Sequence, residues 1–131
     1  MADHLRVRSI AWGKVIAFVR LAGELTHLTI PQFDRELRGW LEQGVHSFVF
    51  DLGHLTTLSN TGGGALISGM RVAQDRGGRV TLVNPSPAAR ETLERLALLP
   101  FLHIVTSEAE AREFHRVDAA VGKLRMSDSL P

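Results

Sequence analysis

Three hydrogen-bonding side chains stand directly before three glycines near the middle of the chain. They are Ser59, Asn60 and Thr61, and the glycines, Gly62–Gly64, open an apolar segment with helical spacing. Upstream, an apolar, β-branched and aromatic run stops at Asp51 and gives way to a short polar stretch. This order predicts a strand, a loop and a helix N-terminus. Because the first N–H groups of a helix lack intrahelical partners and lie at the positive end of its dipole, the junction suits a capping oxygen or a phosphate.

Thr61, the hydroxyl next to the glycines, has two compatible interpretations. As an N-cap it would accept one backbone hydrogen bond and stabilise the helix by about 1 kcal/mol. As a phosphorylation switch it would carry a dianionic phosphate that the helix N-terminus favours, so the fold would stay intact while the surface changed. From the local residues alone, the cap is the favoured interpretation.

Hydrolase chemistry is a weaker alternative at the same place. Asp51 and His54 could form an acid–base pair, with Ser59 or Thr61 as the nucleophile. The chain lacks a Gly-x-Ser-x-Gly elbow, and an aspartate at a strand end more often accepts hydrogen bonds from loop amides. We therefore assign no catalytic residue and expect a protein that is not an enzyme.

The glycines and histidines do not form a nucleotide or metal motif. The triple glycine lacks the Gly-Lys-Ser/Thr ending of a phosphate loop, and Ile67 occupies the third glycine position of the dinucleotide pattern. The favoured interpretation is that the glycines let the helix start pack tightly against its neighbours. None of the six histidines has an i, i+4 partner, so we expect neither a metal nor a cofactor.

Composition restricts the class of protein further. The 131 residues, 44% of them hydrophobic, fit one domain with a single core. A formal net charge of +1 gives no overall field toward nucleic acid or an anionic membrane. The chain contains no cysteine, no signal-peptide pattern and no apolar run near the roughly 20 residues that span a bilayer. We expect a cytoplasmic protein whose partner is another protein or a small ligand.

The first half of the chain predicts a hairpin, a helix and a central strand. Two short strands flank the turn-like Trp12-Gly13-Lys14, and the second ends at Leu25. An amphipathic helix should begin near Thr29 or Ile30, with Pro31 in its first turn, and stop at Gly44. Val45–Leu52 is almost continuously apolar, which is typical of a strand buried on both faces.

The second half repeats the strand and helix pattern. The predicted elements are a helix over Gly62–Arg76, a strand over Arg79–Asn84, a helix opened by Ser86-Pro87, a turn over Pro100–Leu102, a strand over His103–Thr106, and a helix capped by Ser107 and Glu110 that runs to Phe114. The fold class is therefore α/β, a mostly parallel sheet with an antiparallel N-terminal edge strand, covered by about four helices. We place the domain over 1–114 and a frayed or disordered extension over 115–131.

These motifs, in this order and spacing, resemble the STAS domain family of the anti-sigma factor antagonist type, over roughly residues 10–114. The resemblance rests on Gly23-Glu24-Leu25, Phe48-Val49-Phe50-Asp51-Leu52 with the hydroxyl-glycine helix start, Gly77-Gly78-Arg79-Val80-Thr81-Leu82-Val83-Asn84, and Ser107-Glu108-Ala109. It implies a STAS-like domain. In that family the hydroxyl before the first glycine, here Thr61, is phosphorylated by a serine/threonine kinase that is itself the anti-sigma factor. Ser59 stands at the position of the family's acid and is a second, weaker phosphorylation candidate.

The resemblance implies a regulatory module that binds this partner-switching kinase through Ser59, Asn60, Thr61, Gly62, Gly63, Gly64 and the following helix. The alternative is a non-switching structural subunit of a larger, stress-sensing assembly with itself or with paralogous STAS proteins. A homodimer is a separate candidate assembly. A third hypothesis is a small ligand, such as a lipid or nucleotide, in a groove beside the loop.

Overall fold

The computed structural model describes residues 4–116. In chain order the elements are β1 (Leu5–Ala11), β2 (Ile16–Leu25), α1 (Ile30–Glu42), β3 (Ser47–Leu58), α2 (Asn60–Asp75), β4 (Val80–Val83), α3 (Pro87–Arg95), a 3-10 turn (Leu99–Phe101), β5 (Ile104–Val105) and α4 over 108–116. The predicted number and order of strands and helices are therefore confirmed.

The five strands form one sheet in the order β1-β2-β3-β4-β5. β1 pairs antiparallel with β2, and the other three pairings are parallel. This is the α/β class predicted above, including the antiparallel edge strand. Helices α1, α2 and α3 each connect two neighbouring parallel strands, because a parallel pair needs a crossover connection.

The larger part of the core lies between the sheet and these three connecting helices. In the first half of β3 every second residue points into it, namely Phe48, Phe50 and Leu52, as the period of two in a strand requires. The helices contribute the apolar side chains of their inner faces, which include Phe33, Leu37, Leu66, Met70, Ala89 and Leu93. The rings of Phe48 and Phe50 stack with centroids 5.6 Å apart.

A smaller core lies on the opposite face of the sheet, where α4 packs. Its buried members are Ile16, Phe18, Val49, Val83, Val105 and Ala111. At its edge the ring of Trp12 stacks on Phe18, with centroids 5.0 Å apart, and the guanidinium of Arg112 lies 4.2 Å from the centre of the Trp12 ring. The chain therefore buries β3 on both faces, as its continuous apolar run predicted.

β3 is longer than its apolar run indicates, and the predicted loop after Leu52 is wrong. The strand continues to Leu58 because β2 also extends and pairs with it as far as Leu25↔Leu58. Two irregularities in the β2–β3 register absorb the extra residues of β3. Leu55 and Leu58 are buried while Thr56 and Thr57 between them are exposed, so this part of β3 is only partly covered.

The predicted helix signals are mostly confirmed. Gly44 adopts φ +90° after α1, which is the left-handed conformation expected of a glycine stop. The Ser86 hydroxyl accepts a hydrogen bond from the N–H of Ala89 and caps α3. At α4, Ser107 accepts from the N–H of Glu110 at 3.2 Å, whereas the Glu110 carboxylate accepts from the N–H and hydroxyl of Thr106 rather than from Ser107. One of the two hydrogen bonds of the predicted capping box is therefore present, whereas the other involves Thr106 in place of Ser107.

Apart from its first two residues, the predicted extension over 115–131 lies outside the described residues. His115 itself is buried, and its Nε2 lies 2.9 Å from the Thr81 hydroxyl on β4. None of the helices over residues 4–116 is long and apolar enough to cross a membrane.

Candidate functional site

The start of α2 is capped by Ser59. Its backbone is extended, at φ −74° and ψ 165°, and its hydroxyl accepts a hydrogen bond from the N–H of Gly62 at 2.9 Å. Its own N–H donates to the carbonyl of Leu25 at 3.1 Å, which ties the cap to the end of β2. The interpretation of Thr61 as the cap is therefore wrong. Helical backbone begins at Asn60, so Thr61 is the second residue inside the helix.

Thr61 is exposed at this second position, whereas Ser59 is half-buried. The Ser59 hydroxyl is engaged in the cap, and the fold does not require the Thr61 hydroxyl for that bond. Both lie in the first turn, where the backbone N–H groups of the helix point outward and the dipole is positive. The two candidate phosphorylation sites of the sequence therefore lie in the same turn but have different structural roles.

The three glycines differ in their surroundings. A Cβ on Gly62 would lie 2.2 Å from the carbonyl oxygen of Leu25, and one on Gly63 would lie 3.0 Å from Leu96 Cδ1. A Cβ on Gly64 would meet nothing within 4 Å, and this residue is exposed. The packing interpretation of the triple glycine is thus confirmed for Gly62 and Gly63. Gly64 instead leaves a flat, open surface beside Thr61.

Asn60 connects the start of α2 to α3. Its side-chain oxygen accepts hydrogen bonds from Nε and Nη2 of Arg95, at 3.2 and 3.1 Å. The Nη2 group also donates to the Thr92 hydroxyl at 3.2 Å, and that hydroxyl donates to the carbonyl of Leu58 at the end of β3. A guanidinium is therefore held at the N-terminus of α2, adjacent to the proposed phosphorylation site.

The residues of the hydrolase alternative have structural partners. Asp51 is 7% exposed, and its two oxygens accept hydrogen bonds from Nε of Arg20 at 2.8 Å and from the N–H of Gly53 at 2.9 Å. The expectation that this aspartate bonds a backbone amide is confirmed, although the amide belongs to β3 and not to a loop. His54 is exposed further along the same strand. Asp51 thus joins β2 to β3.

A shallow groove of about 460 Å³ runs between α1 and α2. Leu37, Leu41 and Val72 are among the apolar residues that line it, and charged side chains of both helices stand at its sides. None of the residues Ser59–Gly64 contributes to it, so it is separate from the start of α2. Within residues 4–116, no group of three or more histidine, aspartate or glutamate side chains could hold a metal ion.

Sequence patterns did not reveal three residues that build this site. They are Leu25, whose carbonyl meets both Ser59 and Gly62, and the pair Thr92 and Arg95 on α3. All three act through contacts between residues more than 30 positions apart, and no local pattern encodes such a contact. The only local indication was the apolar face of α3, which required this helix to pack somewhere on the core.

The chain belongs to the STAS domain family, whose model matches residues 13–111. The anti-sigma F factor antagonist of Lysinibacillus sphaericus is 31% identical over 106 residues, which cover 80% of this chain and 89% of the relative. The resemblance inferred from the sequence motifs is therefore confirmed.

Known structures agree with this assignment. The anti-sigma factor antagonist SpoIIAA in its unphosphorylated form superposes with a TM-score of 0.72 at 23% identity, over 84% of this chain and 96% of that one. The phosphorylated form of SpoIIAA, a cell fate determinant of Bacillus, gives a TM-score of 0.66 at 26% identity, over 86% and 99% of the two chains. The fold of this chain is that of the anti-sigma factor antagonists.

Proposed function

We propose that this protein is a cytoplasmic, non-enzymatic anti-sigma factor antagonist controlled by phosphorylation at Thr61. Its partner is a serine/threonine kinase that is itself the anti-sigma factor. The unphosphorylated chain binds this kinase through the partner surface, which we define as Ser59–Gly64 and the exposed side of α2. Binding occupies the kinase, and the sigma factor is released.

The difference between two hydroxyls carries this proposal. Ser59 is half-buried and caps α2, whereas Thr61 is exposed one turn before Gly64. A kinase can reach the Thr61 hydroxyl without opening the helix. Ser59 is the second candidate acceptor, and its modification would replace the capping hydroxyl by a phosphate ester.

The chemistry belongs to the kinase, and this chain supplies the acceptor. The Thr61 Oγ1 attacks the γ-phosphorus of ATP, the bond from that phosphorus to the β,γ-bridging oxygen breaks, and ADP leaves while the hydroxyl proton passes to a base on the kinase. The product is a phosphothreonine whose roughly two negative charges lie at the positive end of α2. Since Thr61 does not cap the helix, the fold persists and only the surface changes.

The open backbone at Gly64 supports the choice of this surface. A Cβ at that position would touch nothing, so a partner can approach the first turn of α2 closely. An added phosphate one turn earlier would stand in the path of that approach. Repulsion and the cost of removing water from a dianion then weaken the complex.

The test begins with the tagged chain captured from its native host, which identifies the kinase by mass spectrometry. The purified kinase is then incubated with ATP and three proteins: the unmodified chain, Thr61→Val and the control Thr57→Val. Thr57 is an exposed threonine near the end of β3, so the control removes a comparable hydroxyl. We expect phosphate on Thr61, retained in Thr57→Val and lost in Thr61→Val. Phosphate on neither Thr61 nor Ser59 would refute the switch.

A second candidate function is a non-switching structural subunit of a larger STAS assembly, formed with itself or with paralogues. The observation that favours it is a set of large apolar side chains that stay exposed, with Phe101 at 81% and Leu28 at 62%. Size-exclusion chromatography with light scattering distinguishes the two. A large assembly whose size is unchanged by Thr61→Glu supports the structural subunit, and a monomer or dimer excludes it.

A further inference from the structure

Of the two arginines in α3, Arg95 is the one whose side chain forms hydrogen bonds with α2. Two of its nitrogens donate to one acceptor, the side-chain oxygen of Asn60, at 3.1 and 3.2 Å. Its side chain remains 51% exposed, and the Glu91 carboxylate lies 3.7 Å from Nη1. The guanidinium is therefore positioned by α2 and still open to solvent.

The present acceptor of Arg95 is a weak one. An amide oxygen is neutral, so its hydrogen bonds with a guanidinium lack the ion-pair attraction that an anionic phosphate oxygen adds. Arginine also matches a phosphate with two parallel donors, which a single amide oxygen cannot do. Any phosphate that came within reach of Arg95 would compete successfully with Asn60.

Thr61 brings a phosphate within that reach. It follows Asn60 directly, and the two occupy the first two positions of α2. Adjacent side chains on a helix diverge by about 100°, but the arginine side chain is long and the phosphate extends the threonine toward it. A related protein, 26% identical, has been solved in a phosphorylated form, so a member of this fold does carry such a group.

We infer that Arg95 is the intramolecular partner of the phosphate on Thr61: on phosphorylation its guanidinium leaves Asn60 and binds the phosphate oxygens. This inference rests on the phosphorylation in the proposed function and adds a second change to it. Part of the phosphate charge is neutralised inside the molecule, and the Asn60 amide is released. Arg95 is a positioning residue here, since it fixes where the phosphate lies on the partner surface.

One consequence concerns the usual mimic of phosphothreonine. A glutamate at position 61 carries one charge and two oxygens, so it attracts the guanidinium less than a dianionic phosphate with three oxygens. Arg95 would then stay on Asn60 for a larger share of the time. Thr61→Glu therefore reproduces the added negative charge and only part of the rearrangement.

The test uses the full chain with phosphothreonine installed at position 61 during translation, which does not depend on the kinase. The phosphorus resonance is followed by nuclear magnetic resonance as the pH is varied. Three phosphorylated chains are compared: one with no further substitution, one with Arg95→Gln and one with Arg90→Gln. Arg90 is exposed on the same helix, so its replacement makes the same change in net charge. With Arg95 present, we expect the phosphate to titrate about a few tenths of a pH unit lower than in Arg95→Gln, since an adjacent cation favours the dianion. Arg90→Gln should leave the titration unchanged.

Two further measurements keep the result interpretable. Arg95→Lys retains the charge and should recover part of the lowered titration, and thermal unfolding of each variant verifies that it is folded. The Nε–H signal of Arg95 should also shift between the unphosphorylated and phosphorylated chains, because its acceptor changes. If the phosphate titrates identically in Arg95→Gln and in the phosphorylated chain with no further substitution, the inference is overturned.

This design separates the inference from the proposed function. If the kinase leaves Thr61 unmodified but the titration of the installed phosphate depends on Arg95, the proposed function is refuted and the role of Arg95 stands. If the kinase phosphorylates Thr61 but the titration does not depend on Arg95, the proposed function stands and the role of Arg95 is refuted.

Discussion

The hydroxyl of Ser59 accepts a hydrogen bond from the N–H of Gly62 at 2.9 Å, and this bond caps the first turn of α2. Thr61, the residue before Gly62, is exposed, and its hydroxyl does not form the cap. The hydroxyl that caps the helix and the hydroxyl that we propose is phosphorylated therefore belong to different side chains. Four experiments examine this division and its consequences.

Removal of the cap should lower stability, and removal of the Thr61 hydroxyl should not. Ser59→Ala leaves the Gly62 N–H without its side-chain acceptor, so we expect a loss of about 1 kcal/mol in the free energy of unfolding. Ser59→Asp keeps an acceptor oxygen at the same place and should remain within about 0.5 kcal/mol of the original. Urea unfolding measures both, with Thr61→Ala as the control. An equal loss in Ser59→Ala and Thr61→Ala would contradict the assignment of the cap.

The glycines should respond to alanine in opposite directions. In Gly62→Ala the new Cβ would lie 2.2 Å from the carbonyl oxygen of Leu25, which belongs to the backbone and cannot move freely. We expect a loss of about 2 kcal/mol or more, comparable with overpacking of a core. Gly64→Ala meets no neighbour and should stabilise α2 by up to about 1 kcal/mol, because alanine is the better helix former. Chemical denaturation of both variants decides, and destabilisation by Gly64→Ala would contradict the open surface.

Added negative charge at position 61 should weaken partner binding. With the purified kinase, Thr61→Glu should bind at least about tenfold less tightly, since the charge would have to be desolvated or repelled at the interface. Gln43→Glu makes the same change of charge at an exposed position at the end of α1, outside the partner surface, and serves as the control. Calorimetric titration gives both affinities. Equal weakening by the two variants would indicate a general electrostatic effect and not a local switch.

The start of α4 should contribute a pH-dependent increment of stability. Hydrogen bonds from the Thr106 hydroxyl and N–H hold the pKa of Glu110 below its ordinary value of 4.5. A carboxylate with a lowered pKa in the folded state stabilises the fold above its unfolded pKa, and this stabilisation is lost as the pH falls through the folded pKa. In urea unfolding, the difference between the original chain and Glu110→Gln should therefore shrink as the pH is lowered from about 6 to about 3. A difference that is independent of pH would show that the Thr106 contacts do not depend on the charge.

Much of the fold follows from local patterns. Two short segments on either side of the turn-like Trp12-Gly13-Lys14 predict β1 and β2, and a continuous apolar run predicts β3. Pro31, Gly44 and Ser86 mark helix ends that the structure confirms. These signals work because they act within a few residues, through sterics, capping and the burial of one face. The prediction for the end of β3 is wrong because Gly53 and His54 interrupt the apolar run, and only the pairing with β2 continues the strand beyond them.

The candidate site was also predictable from the sequence only in part. The sequence by itself determined that a capped, glycine-rich helix start follows the central strand, and that Ser59 and Thr61 are the hydroxyls to consider. It could not decide which of them caps the helix, because that depends on where the backbone turns helical. β2 fixes that point by pairing with β3 up to Leu58 and by placing the Leu25 carbonyl against Gly62.

Only the tertiary structure places Arg95 beside Asn60, 35 residues away along the chain. The physical reason is that α3 must bury its apolar face against the core, and this packing carries its last turn to the start of α2. A local pattern specifies which interactions a residue can form, whereas the packing of distant segments decides which partner it contacts. In this protein the sequence supplies a hydroxyl suited to a phosphate, and the packing of α3 supplies the cation next to it.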